Sequence, residues 1–182
     1  QDSDRGYFSK SSIKAKWIKD KSNSSIKLLL THSLGIHLVD ENTLSQATHI
    51  VLVNSFNNFV PTNNEREITL VALKKMEKKI NPIQIESLLR EFIKKSFKPN
   101  QVDTNFQSIF KLESKNINID LLLKDFQKLY LQNQSINLFS KYTAVLIIKS
   151  KNDLILKEYA FDEFIKTLNK SQINKPKLVN LH

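Results

Sequence analysis

Four histidines, many serines and eighteen carboxylates are the groups here that could do chemistry. His49 could act as an acid or base, since imidazole titrates near neutrality. It lies in Ala47-Thr48-His49-Ile50-Val51-Leu52-Val53, a short apolar run with a polar entry. There its ring is expected to bridge the strand entry to a neighbouring backbone group. His32 and His37 flank Gly35, but no cysteine and no His-x-x-x-His spacing points to a metal. His32-Ser33 with a distant Asp reads as no triad, because any chain this long offers such a set by chance. With Gly6 and Gly35 as its only glycines, the chain has no Gly-rich loop to cradle nucleotide phosphates. No catalytic residue, metal or cofactor is expected.

Composition bounds the rest. The 182 residues suffice for one domain or one plus a fragment. No apolar run approaches the roughly 18 residues of a membrane span, so no membrane partner is expected. The chain opens on Gln1 rather than Met and without a secretory pattern, as a piece of something longer would. The absence of cysteine excludes disulfides, thiolate metal sites and a thiol nucleophile. A net charge of +10 invites nucleic acid. Against that, the lysines are spread along the chain. Abundant Lys, Asn and Ile with scarce Gly is also what an AT-rich genome would produce.

The elements that must position these residues follow from periodicity. Residues 12–19 alternate, with Ile13, Ala15 and Trp17 on one face, which predicts a strand. Asp20 to Ser24 is a turn. Ile26, Leu29, Leu30 and Leu34 recur at helical spacing, and Gly35 stands where a left-handed residue ends a helix. Residues 36–39 read as a strand, Asp40-Glu41-Asn42 as a turn and 48–53 as a strand apolar on both faces. Residues 54–64 form a polar loop. A helix over 65–79 is expected to bury Ile68, Val71, Ala72 and Met76. Residues 83–85 read as a strand and 86–95 as a helix. Residues 100–118 read as a linker, 119–131 as an amphipathic helix, 142–149 as a strand and 161–168 as helical. The tail from 169 is polar.

This order, β-α-β-β-α-β-α, argues for a mainly parallel sheet with helices on both faces. Its first half resembles a BRCT domain. The carrying residues are Leu34-Gly35-Ile36-His37-Leu38-Val39-Asp40, Ala47-Thr48-His49-Ile50-Val51, Thr69-Leu70-Val71-Ala72-Leu73, residues 83–92, and Phe97-Lys98-Pro99. Gly35, Thr48 and His49 are its fold-marking positions. Leu88 or Leu89 stands where the family usually has a Trp, and Glu77-Lys78-Lys79 where it often has a Gly-containing turn. Leu138 to Ile147 is similar to the opening strand of a second repeat. The layout most resembles the divergent tandem BRCT region of nibrin-type double-strand-break repair proteins.

The resemblance implies an α/β fold: a BRCT-like four-stranded parallel sheet flanked by helices, then a linker helix and a smaller α/β extension or partial second repeat. The divisions would be a lead-in over 1–11, the BRCT-like domain over 12–99, a linker over 100–118, and the extension over 119–182. It implies a non-enzymatic scaffold of a nuclear protein of DNA repair, the DNA damage response or chromatin. The partner would be a protein segment, phosphorylated or not, with DNA on the basic surface and no small-molecule substrate. Phosphopeptide-reading members surround the phosphate with a hydroxyl, a backbone N–H and a cation. The usual Thr-Gly pair is missing here, and Ser22 with Lys19, Lys21, Arg66 or Lys74 is the substitute. The alternative is a nucleic-acid-binding domain of winged-helix type from a telomere or replication factor. A small hydrolase or transferase ranks last, because no site can be assembled.

Overall fold

The computed structural model describes residues 5–8, 13–14, 17, 26–98, 100–102, 116–131, 139–172 and 174–181. Four parallel strands form one sheet: β1 (Leu28–His32), β2 (His49–Val53), β3 (Ala144–Ser150) and β4 (Lys177–Leu181), side by side in that order. Among the described residues five α-helices accompany them: α1 (Glu41–Gln46), α2 (Arg66–Lys78), α3 (Ile85–Phe97), α4 (Ile119–Gln127) and α5 (Glu158–Ser171). The α/β class and the four-stranded parallel sheet flanked by helices are therefore as expected. The strands that compose the sheet are largely different ones.

Leu28–His32 is a strand, not the helix that its leucine spacing suggests. Pairing decides it: Leu28 to His32 run in parallel register with His49 to Val53. Leu29 and Thr31 point into the core, while Leu28 and Leu30 stand exposed at the sheet edge. A five-residue run of mostly leucine fits either period, and only a non-local partner chooses between them. Residues 36–39, expected as a strand, are the end of a 3-10 turn over Ser33–His37 and the bend that follows it. Residues 83–85 are no strand either. The Asn81 side chain accepts from the Ile83 and Gln84 N–H groups at 3.0 Å, and the turn so made leads into α3. The expected strand at 12–19 lies mostly outside the described residues. The polar tail instead supplies β4.

The main core lies on one face of the sheet. Leu29, Ile50, Leu52, Val145 and Ile147 meet Phe161, Phe164 and Leu168 of α5, with Ile36 and Leu44 from the segment between β1 and β2. Each fully buried side chain of this size contributes about 1.5–3 kcal/mol through surface removed from water. α1 begins where Asp40 caps it, accepting from Thr43 N–H at 2.9 Å and Thr43 Oγ1 at 2.8 Å.

The chain between β2 and β3 builds a second, separate core. Ile80, Ile85 and Leu88 pack with Met76, Leu122, Leu123 and Phe126, which joins α2, α3 and α4. Glu77 ties α2 to the end of α4, accepting from Gln127 Nε2 at 2.9 Å and Tyr130 OH at 2.7 Å. α2 buries Leu73 and leaves Ile68 and Val71 exposed, so its inward stripe is rotated from the expected one. Apolar residues on several sides of a helix leave the choice of face to the partner.

Candidate active site

The sheet register sets the level of the site. His32, Val53, Ile148 and Val179 lie opposite one another across the four strands. The residues that follow them form the carboxyl edge, where open α/β sheets hold their ligands.

Ser33 is the first residue past β1. Its φ is +52°, which for an L-residue with a Cβ is sterically costly. The chain turns sharply there from strand into a 3-10 turn, with Ser33 half-buried at the bend. The left-handed residue is thus Ser33 and not Gly35, which has no positive φ. A Cβ at 35 would meet the Thr31 Cβ at 3.7 Å, an ordinary contact.

Asn54 is the first residue past β2 and has a φ of +43°. Its N–H donates to Ile148 O at 2.9 Å, and its Oδ1 accepts from Ser150 N–H at 2.7 Å. Asn and Asp tolerate this backbone region because the short polar side chain bonds locally. Asp153 follows β3 by three residues. Its Oδ1 accepts from the Ile155 and Leu156 N–H groups at 2.7 and 2.9 Å, which fixes the carboxylate.

Ser33, Asn54, Ser150 and Asp153 wall one cavity of about 130 Å³. Phe56 and Phe59 close one side of it, and Phe92, Lys95, Ser96 and Lys98, at the end of α3 and just beyond, line another. His37 steadies the aromatic side. Its Nε2–H donates to Phe56 O at 2.7 Å, and burial pushes its pKa down to about 4, so the ring is neutral.

The sequence motifs fall as follows. Thr48 Oγ1 accepts from Lys27 N–H at 2.8 Å and lies 3.0 Å from His49 Nδ1, so the His49 ring meets a side chain rather than backbone. Arg66 and Lys74 are exposed on α2, about 80° apart around the helix, and neither lines this cavity. Lys19, Lys21 and Ser22 lie outside the described residues. From sequence alone Ser33, beside His32, reads as part of no triad, and Asp153 has no role. The signal for them was Thr31-His32-Ser33-Leu34-Gly35, a G-x-S-x-G pattern with Thr in the first place, and Asn152-Asp153 after an apolar strand.

No protein-family model matches the chain, and no curated protein matches it in sequence. Solved structures do. An esterase from Exiguobacterium antarcticum superposes with a TM-score of 0.64 at 14% identity, covering 85% of this chain and 57% of that one. A bromoperoxidase from Bacillus anthracis gives 0.62 at 14%, covering 85% and 58%. A hydrolase from Oleispira antarctica gives 0.59 at 10%, covering 85% and 56%. The fold is the α/β-hydrolase fold.

The chain spans a little over half the length of these enzymes. The BRCT resemblance is overturned by them, and so is the nibrin-type layout built on it. The physical reason lies in the strand exchange: the Thr-His strand is real, but its neighbours are Leu28–His32 and Ala144–Ser150. The non-enzymatic scaffold of DNA repair or chromatin and the winged-helix alternative fall for the same reason. So do the expected protein or DNA partner and the exclusion of a small-molecule substrate.

Proposed function

We propose that this chain carries the catalytic residues of an acyl-transfer enzyme of hydrolase type, with Ser33 as nucleophile, Asp153 as the orienting acid and His182 as the base. The observation that carries this is Ser33 at a positive φ on a strand-to-turn bend, opening onto the cavity that Asp153 also walls. Nucleophile elbows hold a serine in this way so that its hydroxyl projects above the sheet. The chain order Ser…Asp…His also fits the hydrolase fold. His182 is assigned from sequence alone: it directly follows β4, which ends at Leu181 on the same edge.

In this reading Ser33 Oγ attacks the acyl carbonyl while His182 takes its proton. Asp153 holds the imidazole tautomer and stabilises the imidazolium. The backbone N–H of Leu34, the residue after the nucleophile, is one oxyanion donor. Departure of the alcohol with the returned proton leaves an acyl-Ser33 ester, which water attacks in the second half-reaction. Thr31 in the place of the first glycine is accommodated because it is buried against Gly35.

The test is covalent labelling by a neutral fluorophosphonate, with turnover of short-chain 4-nitrophenyl esters. Labelling should map to Ser33. Ser33→Ala and His182→Ala should each lower kcat by about 10⁴-fold or more. Turnover that survives Ser33→Ala removes the reading.

A further inference from the structure

We infer that the cavity beside Ser33 takes acyl substrates that carry a second, anionic group, a carboxylate or phosphate, held by Lys95 and Lys98. This deepens the acyl-transfer reading of Ser33 and rests on it.

The argument starts with α3. Ile85, Leu88 and Leu89 lie along one helical stripe, packed in the core shared with α2 and α4. Phe92, Lys95 and Ser96 continue that stripe, and all three wall the cavity. The same face that anchors the helix thus runs on over the site with an aromatic ring, then an ammonium and a hydroxyl. Lys98, beyond the helix end, adds a second ammonium to the wall.

Charge balance is the second observation. Neither Lys95 nor Lys98 forms an ion pair among the described residues. Among the described residues Asp153 is the only acid on the wall, and its Oδ1 already accepts two backbone N–H groups. A lysine in the last helical turn is favoured by the helix dipole anyway. Lys94 meets that need without lining the cavity, and Lys98 lies outside the helix. Two lysines that share a cavity wall with Phe56, Phe59 and Phe92 suit a ligand with an apolar stem and an anionic end. Both lysines are exposed, so they would meet the anion at the cavity rim through charge-assisted hydrogen bonds.

The experiment separates recognition from chemistry. Binding of monohexyl succinate, of its neutral methyl ester and of monohexyl phosphate is measured by calorimetry on the Ser33→Ala protein, which lacks the nucleophile. Both anionic ligands should bind about tenfold or more tighter than the neutral ester. The tighter of the two identifies carboxylate or phosphate as the preferred anion. The preference should vanish in Lys95→Gln/Lys98→Gln, invert in Lys95→Glu/Lys98→Glu and persist in Lys94→Gln. Equal binding of charged and neutral ligands, or a preference that survives the double substitution, overturns the proposal. Fluorophosphonate labelling of the unsubstituted protein runs alongside. Failure to label removes the nucleophile while the binding comparison still reads the lysines.

Discussion

Asn54 Oδ1 accepts the backbone N–H of Ser150 at 2.7 Å, and so ties the end of β2 to the end of β3 beside the cavity. The bond is made with Asn54 at a positive φ of 43°. Asn54→Ala should therefore lose both the bond and the tolerance for that backbone, about 2 kcal/mol together. Asn54→Gly keeps the backbone region and should lose about half as much. Urea unfolding of the two variants checks this. Equal losses would mean that the backbone conformation contributes nothing.

Ser33 predicts a conflict between stability and activity. Ser33→Gly and Ser33→Ala both lack the hydroxyl, but only glycine has no Cβ to strain at φ +52°. The glycine variant should be about 1 kcal/mol more stable than the alanine variant. Both should be inactive. Comparison of their denaturant midpoints is the measurement, and identical midpoints would count against strain at the elbow.

His37 predicts a pH dependence. Its pKa is lowered to about 4, mainly by burial, against the ordinary 6.5 of the unfolded chain. Between these values the unfolded state binds the proton and the folded state does not. This contribution to stability is therefore full above about pH 6.5, is lost as the pH falls toward about 4, and then levels off. It amounts to about 3 kcal/mol. His37→Gln should flatten that part of the stability profile, since its amide can still donate to Phe56 O. A slope unchanged by the substitution would assign the dependence elsewhere.

Asp125 on α4 predicts a stability loss remote from the cavity. Its carboxylate is 1% exposed and accepts from Arg5 Nε and Nη2 at 2.8 and 2.7 Å and from Tyr7 OH at 2.7 Å. Asp125→Ala leaves those donors without their acceptor and should cost about 2–4 kcal/mol. The simultaneous change of Arg5 to Met should recover part of it. A double-mutant cycle with no coupling would show that segment 5–8 is held by other contacts.

The parts of the fold legible in the sequence were those with long local periods. Residues 66–78, 85–97 and 119–127 each repeat apolar positions along a helix, and 144–150 is a strand-length apolar run between turns. β2 was equally plain, since Ile50 and Leu52 alternate behind Thr48. The site was present as letters but not as a site. The leucine spacing over 26–34 predicts a helix, and the sharp bend at Ser33 takes its sense only from the strand that ends at His32.

By itself the sequence determined which segments form regular structure where i, i+3 and i+4 or i, i+2 contacts suffice, and it determined the α/β class. Pairing, left-handedness and convergence were decided by tertiary structure alone. Leu28 becomes a strand residue because His49 lies opposite it, and Ser33 takes a positive φ because the chain must leave the sheet there. Asp153 meets the same cavity only because β3, far along the chain, pairs with β2. Those are contacts between residues far apart in the chain, and no local period encodes them.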